Sequence, residues 1–165
     1  MSERQRRTIR FTLNGRQVVA DIHVSETLVE MLHREFGLTG ARESCGQGMC
    51  GCCTALVNGT AVSGCLYLAA FAEDAEVLTV EGLASREVLH PIQQAFIAHS
   101  ALQCGYCTPG FELMTKTLLE RHPHPTDQQI REYLSGNLCR CGTYPEIIEA
   151  VKAVADRSQE GQTNP

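Results

Sequence analysis

Glu43-Ser44-Cys45-Gly46-Gln47-Gly48-Met49-Cys50-Gly51-Cys52-Cys53-Thr54 is the stretch on which the fold of this 165-residue chain turns. Cys45 and Cys50 are separated by four residues and Cys50 and Cys53 by two, with Cys65 as a more distant fourth thiol. That is the plant-type spacing for a [2Fe-2S] cluster. A tight loop has to wrap three thiolates round one side of a small charged core, and Gly46, Gly48 and Gly51 let its backbone approach the sulfides closely. Cys53 is expected as the third ligand because it keeps the two-residue gap. Cys52 would shorten that gap and point the other way along an extended backbone, so it is expected as a small buried hydrophobe.

Outward from this loop, four more of the nine cysteines form a second set: Cys104 and Cys107 in Cys-Gly-Tyr-Cys, then Cys139 and Cys141 in Cys-Arg-Cys. Taken alone, this set leaves zinc open. Zinc sites normally pair their ligands as Cys-x2-Cys knuckles, whereas Cys-x-Cys brings two sulfurs unusually close. Beside an iron-sulfur loop, a second [2Fe-2S] centre is the economical reading.

Disulfides are the other use for so many cysteines. The stretch from Met1 to Arg10 is polar and basic, without the apolar segment of a secretory signal, and no apolar run approaches membrane-spanning length. A cytoplasmic, non-inserted protein is expected, where clustered thiols hold metal or do redox chemistry. The formal charge of −5 excludes the thiolates. Two clusters with four cysteinates each add roughly four negative charges, which disfavours nucleic acid as a partner. The one basic run, Arg4, Arg6, Arg7 and Arg10, reads as a solvated end.

Before the loop, Thr8 to Leu13 alternates apolar and polar residues, Asn14-Gly15 is a hairpin signal, and Arg16 to Val24 returns as a strand. Ser25 is the expected cap of a helix with an apolar stripe of Leu28, Met31, Leu32 and Phe36, ended by Gly37. After the loop, a hairpin of Thr54 to Val57 and Thr60 to Val62 turns at Asn58-Gly59 and brings Cys65 back. Glu76 to Val80 is the last expected strand. These elements predict a β-grasp ferredoxin domain over residues 1–81. Past a linker at Gly82 to Arg86, a helical [2Fe-2S]-binding domain is expected over 87–157, with four helices: Pro91 to Ser100, Pro109 to Arg121, Asp127 to Leu134 and Tyr144 to Ala155. Thr108-Pro109 and Thr143 with Glu146 are the expected start signals of the second and fourth, and 158–165 is expected to be a disordered tail. The fold class is therefore α+β.

The second cysteine pairs thus fall at helix starts, where free amides and the helix dipole stabilise an anion. Arg140 is either charge compensation for such an anion or an ordinary surface arginine. His23, His33, His90, His99, His122 and His124 lack ligand-like spacing to the cysteines and are assigned to surface or packing roles. No acid-base or nucleophilic constellation is visible.

Three motifs in order, the loop above, Gln103-Cys104-Gly105-Tyr106-Cys107-Thr108-Pro109-Gly110, and Gly136-Asn137-Leu138-Cys139-Arg140-Cys141, resemble the small iron-sulfur subunits of molybdenum hydroxylases, the xanthine oxidase family. The resemblance covers nearly the whole chain. It implies two [2Fe-2S] clusters, on Cys45, Cys50, Cys53 and Cys65 and on Cys104, Cys107, Cys139 and Cys141. It further implies a molybdopterin cofactor on a separate large subunit, approached by Gln103 and Cys141, and FAD on a medium subunit, in a hetero-oligomer such as a dimer of heterotrimers. In this reading the chain relays single electrons and binds no substrate. Family members often carry Thr-Gly-Tyr after the last cysteine, where this chain has Gly142, Thr143 and Tyr144. That shifts the cap of the last helix but leaves the ligands untouched. A stand-alone two-cluster carrier and a zinc-bound interaction module are the competing readings.

Overall fold

The computed structural model describes residues 5–85 and 88–160, and the side chains of all of these except residues 158–160. Strands β1 (Arg6–Leu13) and β2 (Arg16–His23) form the first hairpin, and β3 (Thr54–Val57) and β4 (Thr60–Ser63) the second. Both Asn-Gly turns adopt positive φ at each residue, 50° and 76° at Asn14 and Gly15 and 49° and 74° at Asn58 and Gly59. This is the turn whose twist matches that of antiparallel strands. A short fifth strand, β5 (Glu76–Leu78), lies between the hairpins, parallel to β1 and antiparallel to β3, so the sheet order is β2-β1-β5-β3-β4.

Helix α1 (Leu28–Phe36) crosses this sheet. Its cap is Thr27, not the expected Ser25: the Thr27 hydroxyl receives the Glu30 amide while the Glu30 carboxylate accepts from the Thr27 amide. That reciprocal pair satisfies two otherwise orphaned donors, an advantage Ser25 cannot match from two residues upstream. Leu28, Met31 and Leu32 are buried against Ile9, Phe11 and Ile22 of the hairpin, and Phe36 meets Phe11 edge to face with ring centroids 5.8 Å apart. The expected strand to Val80 ends instead at Leu78. The Asn14 side chain accepts the Thr79 amide at 2.9 Å, taking that donor out of the ladder, and Val80–Gly82 turns as a short 3-10 segment.

Of the linker expected at Gly82 to Arg86, Gly82 closes that turn and Arg86 lies outside the described residues. Among the described residues four α-helices follow: α2 (Pro91–Ala98), α3 (Thr108–Arg121), α4 (Asp127–Tyr133) and α5 (Tyr144–Glu160). Phe96, Phe111, Leu118, Ile130, Ile147 and Val151 form their core. Helix α5 runs through Glu160, so the expected tail is helical over Ser158 to Glu160, while residues 161–165 lie outside the described region. Of the arginines expected to be a solvated end, Arg4 lies outside the described residues, whereas Arg6, Arg7 and Arg10 belong to β1, where Arg6 pairs with Asp21 and Arg7 with Glu73.

The two halves share a third apolar cluster. Leu113 of α3 is fully buried with Leu56 of β3, Val80 and Leu83. Burying a leucine side chain contributes about 2 kcal/mol. This contact sets α3 against the sheet and brings its N-terminus to the glycine loop.

Candidate metal centres

Loop geometry follows directly from the glycines. Gly46, Gly48 and Gly51 adopt φ of 63°, 72° and 68°, a left-handed region that side-chain-bearing residues rarely visit. The chain coils tightly enough that the Gln47 amide reaches Cys45 Sγ at 3.4 Å. Amides of Gln47, Met49 and Cys50, with the Cys50 thiol, pull the Cys45 thiol down to about 6. A thiol held that low is ionised at neutral pH, the state in which sulfur ligates metal.

Cys53 and Cys65 are the other half of this set. They interact directly in the β-sheet core, and burial drives the Cys53 thiol up to about 11. Gly64 donates to the Cys53 carbonyl at 3.1 Å, which holds the Cys65 strand end against the loop. Cys52 points to the opposite side. It is 5 % exposed, lies in the helical core with Cys50, Cys107 and Cys139, and burial pushes its thiol up to about 12. The two adjacent side chains thus enter different cores, Cys53 that of the sheet and Cys52 that of the helices, but they do so within a turn just before β3 and not along the extended backbone that was expected.

The second set is built at two helix starts. Cys107 is itself the residue before α3, with Thr108 and Pro109 as its first helical residues, so Thr108 is not the cap the sequence suggested. Pro109 needs no amide partner in the first turn. Cys107 interacts directly with Cys139, and burial pushes its thiol up to about 12. For Cys139 burial also acts upward, but the Thr143 hydroxyl 3.1 Å from its Sγ and the Thr143 amide outweigh it, and the thiol falls to about 7. Thr143, expected as a helix cap, thus turns its hydroxyl to a sulfur while its carbonyl accepts the Ile147 amide at 3.0 Å. Cys104 interacts with Cys141 nearer the surface, where the Tyr106 amide lowers its thiol pKa. Gln103 and Arg140 are exposed beside this outer pair.

The eight thiols therefore meet as four pairs in layers. Cys53 and Cys65 lie in the sheet core, Cys45 and Cys50 at the domain boundary, Cys107 and Cys139 beyond Cys52, and Cys104 with Cys141 outermost. Among the described residues no three His, Cys, Asp or Glu side chains converge closely enough to hold a single metal ion. A binuclear core asks for something else, two thiolates on each of two irons with the core between them. Donor chemistry, amides aimed at sulfur and a glycine cradle all fit [2Fe-2S] groups.

Hydrogen bonds fasten the two sets together. The Leu138 amide donates to the Cys50 carbonyl at 2.9 Å, and the Asn137 amide side chain donates to the Gly51 carbonyl at 3.3 Å. Arg42 donates to the Gly105 carbonyl and lies over the Tyr106 ring, while the Tyr106 hydroxyl donates to the Glu43 carbonyl. None of these partners was evident from sequence, since each joins residues more than 60 positions apart. The histidines sit elsewhere: His33 Nε2 is 2.6 Å from the Ala41 carbonyl, and His90 caps α2.

Both halves of the chain have counterparts among known proteins. Residues 11–84 match the 2Fe-2S iron-sulfur cluster binding domain family, and residues 79–152 match the [2Fe-2S] binding domain family. The chain is similar to the nicotinate dehydrogenase small FeS subunit of Eubacterium barkeri, 41 % identical over 150 residues that span 91 % of this chain and 96 % of that one. It is 44 % identical to the xanthine dehydrogenase iron-sulfur-binding subunit of Escherichia coli O157:H7 over 146 residues, 87 % of this chain and 91 % of that one. A chain in the crystal structure of quinoline 2-oxidoreductase from Pseudomonas putida 86 superposes with a TM-score of 0.90 at 40 % identity, covering 96 % of this chain and 99 % of its own.

Proposed function

This chain belongs to the molybdenum hydroxylase family as a small iron-sulfur subunit, and from that premise we propose that its four thiol pairs carry single electrons to an acceptor from a molybdopterin site on a large subunit. A [2Fe-2S] core supplies, when bound, a site that gains and loses one electron. Cys45, Cys50, Cys53 and Cys65 would hold the first and Cys104, Cys107, Cys139 and Cys141 the second. Everything else in the relay is done by the polypeptide. Amides of the glycine loop and of Thr143 offset negative charge on sulfur, and burial of Cys53 and Cys107 keeps water from the inner pairs.

One observation carries the reading. The carbonyl of Cys50, in the first set, accepts the amide of Leu138, whose next residue is Cys139 of the second set. A single 2.9 Å hydrogen bond therefore bridges the two covalent segments that carry the sets. The outer pair, exposed Cys104 and half-buried Cys141, with Gln103 and Arg140, is the end that would face the pterin. Met49 and Leu66, 66 % and 59 % exposed beside the first set, would form the outlet toward an FAD-bearing medium subunit. The assembly would be cytoplasmic, and no helix among the described residues is long and apolar enough to cross a membrane.

The test is purification of the native assembly with its partner chains. About four irons and four sulfides per copy of this chain, two distinct binuclear signals on partial reduction, and a molybdenum-containing large chain are expected. One binuclear centre, or zinc in place of iron, would overturn the relay. Two centres on a chain that copurifies with nothing would favour a diffusible carrier.

A further inference from the structure

Cys139 is held twice by the two residues at the start of α5. Its amide donates to the Tyr144 hydroxyl at 2.9 Å, and the Tyr144 ring is fixed in turn edge to face on Phe111, with centroids 6.2 Å apart. Its Sγ lies 3.1 Å from the Thr143 hydroxyl. Thr143 reaches the sulfur because Gly142, at a φ of 83°, turns the chain sharply after Cys141. Water is kept from the contact: Thr143 is 1 % exposed and Cys139 8 %.

Ligation fixes the direction of that hydrogen bond. Between a hydroxyl and a free thiol either group can donate, but a sulfur that ligates metal has lost its proton and can only accept. The Thr143 carbonyl is occupied by the Ile147 amide at 3.0 Å, a backbone bond that leaves the hydroxyl hydrogen uncommitted. We infer that Thr143 is a positioning residue of the second centre, whose hydroxyl donates to Cys139 Sγ and so raises the reduction potential of that centre above what an apolar side chain at 143 would allow. This rests on the relay proposed above. A donor on a ligand sulfur stabilises the state with more negative charge, which is the reduced one, and burial strengthens it because no water competes for the sulfur. No bond to Thr143 forms or breaks, and its proton stays on oxygen while one electron is gained by the centre. In the first set Cys45 Sγ receives the Gln47 backbone amide at 3.4 Å, which a change at 143 leaves in place, so the two centres should respond differently.

Three forms of the assembled complex decide it: wild type, Thr143→Val and Thr143→Ser, each followed through a potentiometric titration with paramagnetic detection of both centres. Thr143→Val keeps the branched shape and loses the donor, and should lower the reduced-to-oxidised ratio of the second centre about 3-fold at fixed potential, or ~28 mV at ~59 mV per tenfold. Thr143→Ser keeps the donor and should stay close to wild type, and the first centre should move less in both. Equal shifts in the two variants, no shift, or a higher potential in Thr143→Val would overturn the inference and leave Thr143 as packing. Wild-type metal content separates this from failure of the relay itself: two centres without the Val-Ser ordering sink the inference alone, and fewer than two sink both. If Thr143→Val does not assemble, the redox-difference infrared spectra of wild type and Thr143→Ser serve instead. An O–H stretch that moves to lower frequency on reduction of the second centre and is altered by Thr143→Ser supports the contact, and the absence of such a band excludes it.

Discussion

Gly110 lies against Gly51 so closely that a Cβ at residue 110 would sit 2.1 Å from the Gly51 carbonyl oxygen. The first residue is in the first turn of α3 and the second is in the cluster loop, so this contact sets how near the two thiol sets can come. Alanine at 110 meets backbone on a loop that Asn137 also holds, and neither can yield freely. Gly110→Ala should therefore separate the halves, at a cost of about 1–3 kcal/mol, the usual range for overpacking. Thermal unfolding of the assembled protein reads this. Gly136→Ala is the control, because a Cβ there meets nothing within 4 Å; equal stability of the two variants would refute the packing argument.

The division of the thiols into sets predicts selective loss. Cys104 is exposed and belongs to the outer pair, so Cys104→Ala should remove the second centre and leave the first. Iron should fall from about four to about two per chain, with one of two paramagnetic signals retained. Loss of both signals would mean that the halves do not assemble independently.

Glu112 of α3 is 7 % exposed, and burial pushes its carboxyl from the ordinary 4.5 up to about 7, a rise only partly opposed by Gln93. A folded pKa above the unfolded one stabilises fully below pH 4.5 and loses that contribution as pH rises through 7. Glu112→Gln removes the ionising group. The variant should thus be more stable than wild type at pH 8 by about 2 kcal/mol, with the difference shrinking toward pH 5. Melting temperatures of both proteins across that range test the sign, and a variant weaker at pH 8 would contradict it.

Glu26 behaves oppositely. Burial acts to raise its pKa, but the Arg34 guanidinium, bonded to both its oxygens at 2.7 and 2.6 Å, and the His23 amide together hold it below 4.5. A depressed folded pKa contributes stability above pH 4.5 that is lost as pH falls through the folded value. Arg34→Ala leaves a buried carboxylate with one backbone partner. Because Arg34 is itself 40 % exposed, the expected loss at pH 7 is modest, about 1–2 kcal/mol, and should diminish in acid. Chemical denaturation at neutral pH and near pH 4 would show whether the gap closes.

Local rules made much of this architecture legible. Asn14-Gly15 and Asn58-Gly59 announce their turns because few other pairs accept positive φ twice in succession, and both hairpins formed where they were expected. Helix starts were read less well. Thr27 displaced Ser25 because Glu30 could answer it, and Cys107 rather than Thr108 precedes α3. The Thr143 hydroxyl was missed as a sulfur partner because its value as a cap and its reach to Cys139 look identical in one dimension.

By itself, then, the amino-acid sequence determined how the thiols are spaced, where the chain must turn tightly and which residues are apolar, since glycine φ, short loop spacing and periodicity are properties of neighbours. Tertiary structure alone decided which thiols pair, that Cys52 stands between the sets, and that Cys50 meets Leu138 across 88 positions of chain. Those contacts depend on burying Leu113 against Leu56 and Val80, and the free energy of burying apolar surface acts on whatever the completed fold brings together, regardless of distance along the chain.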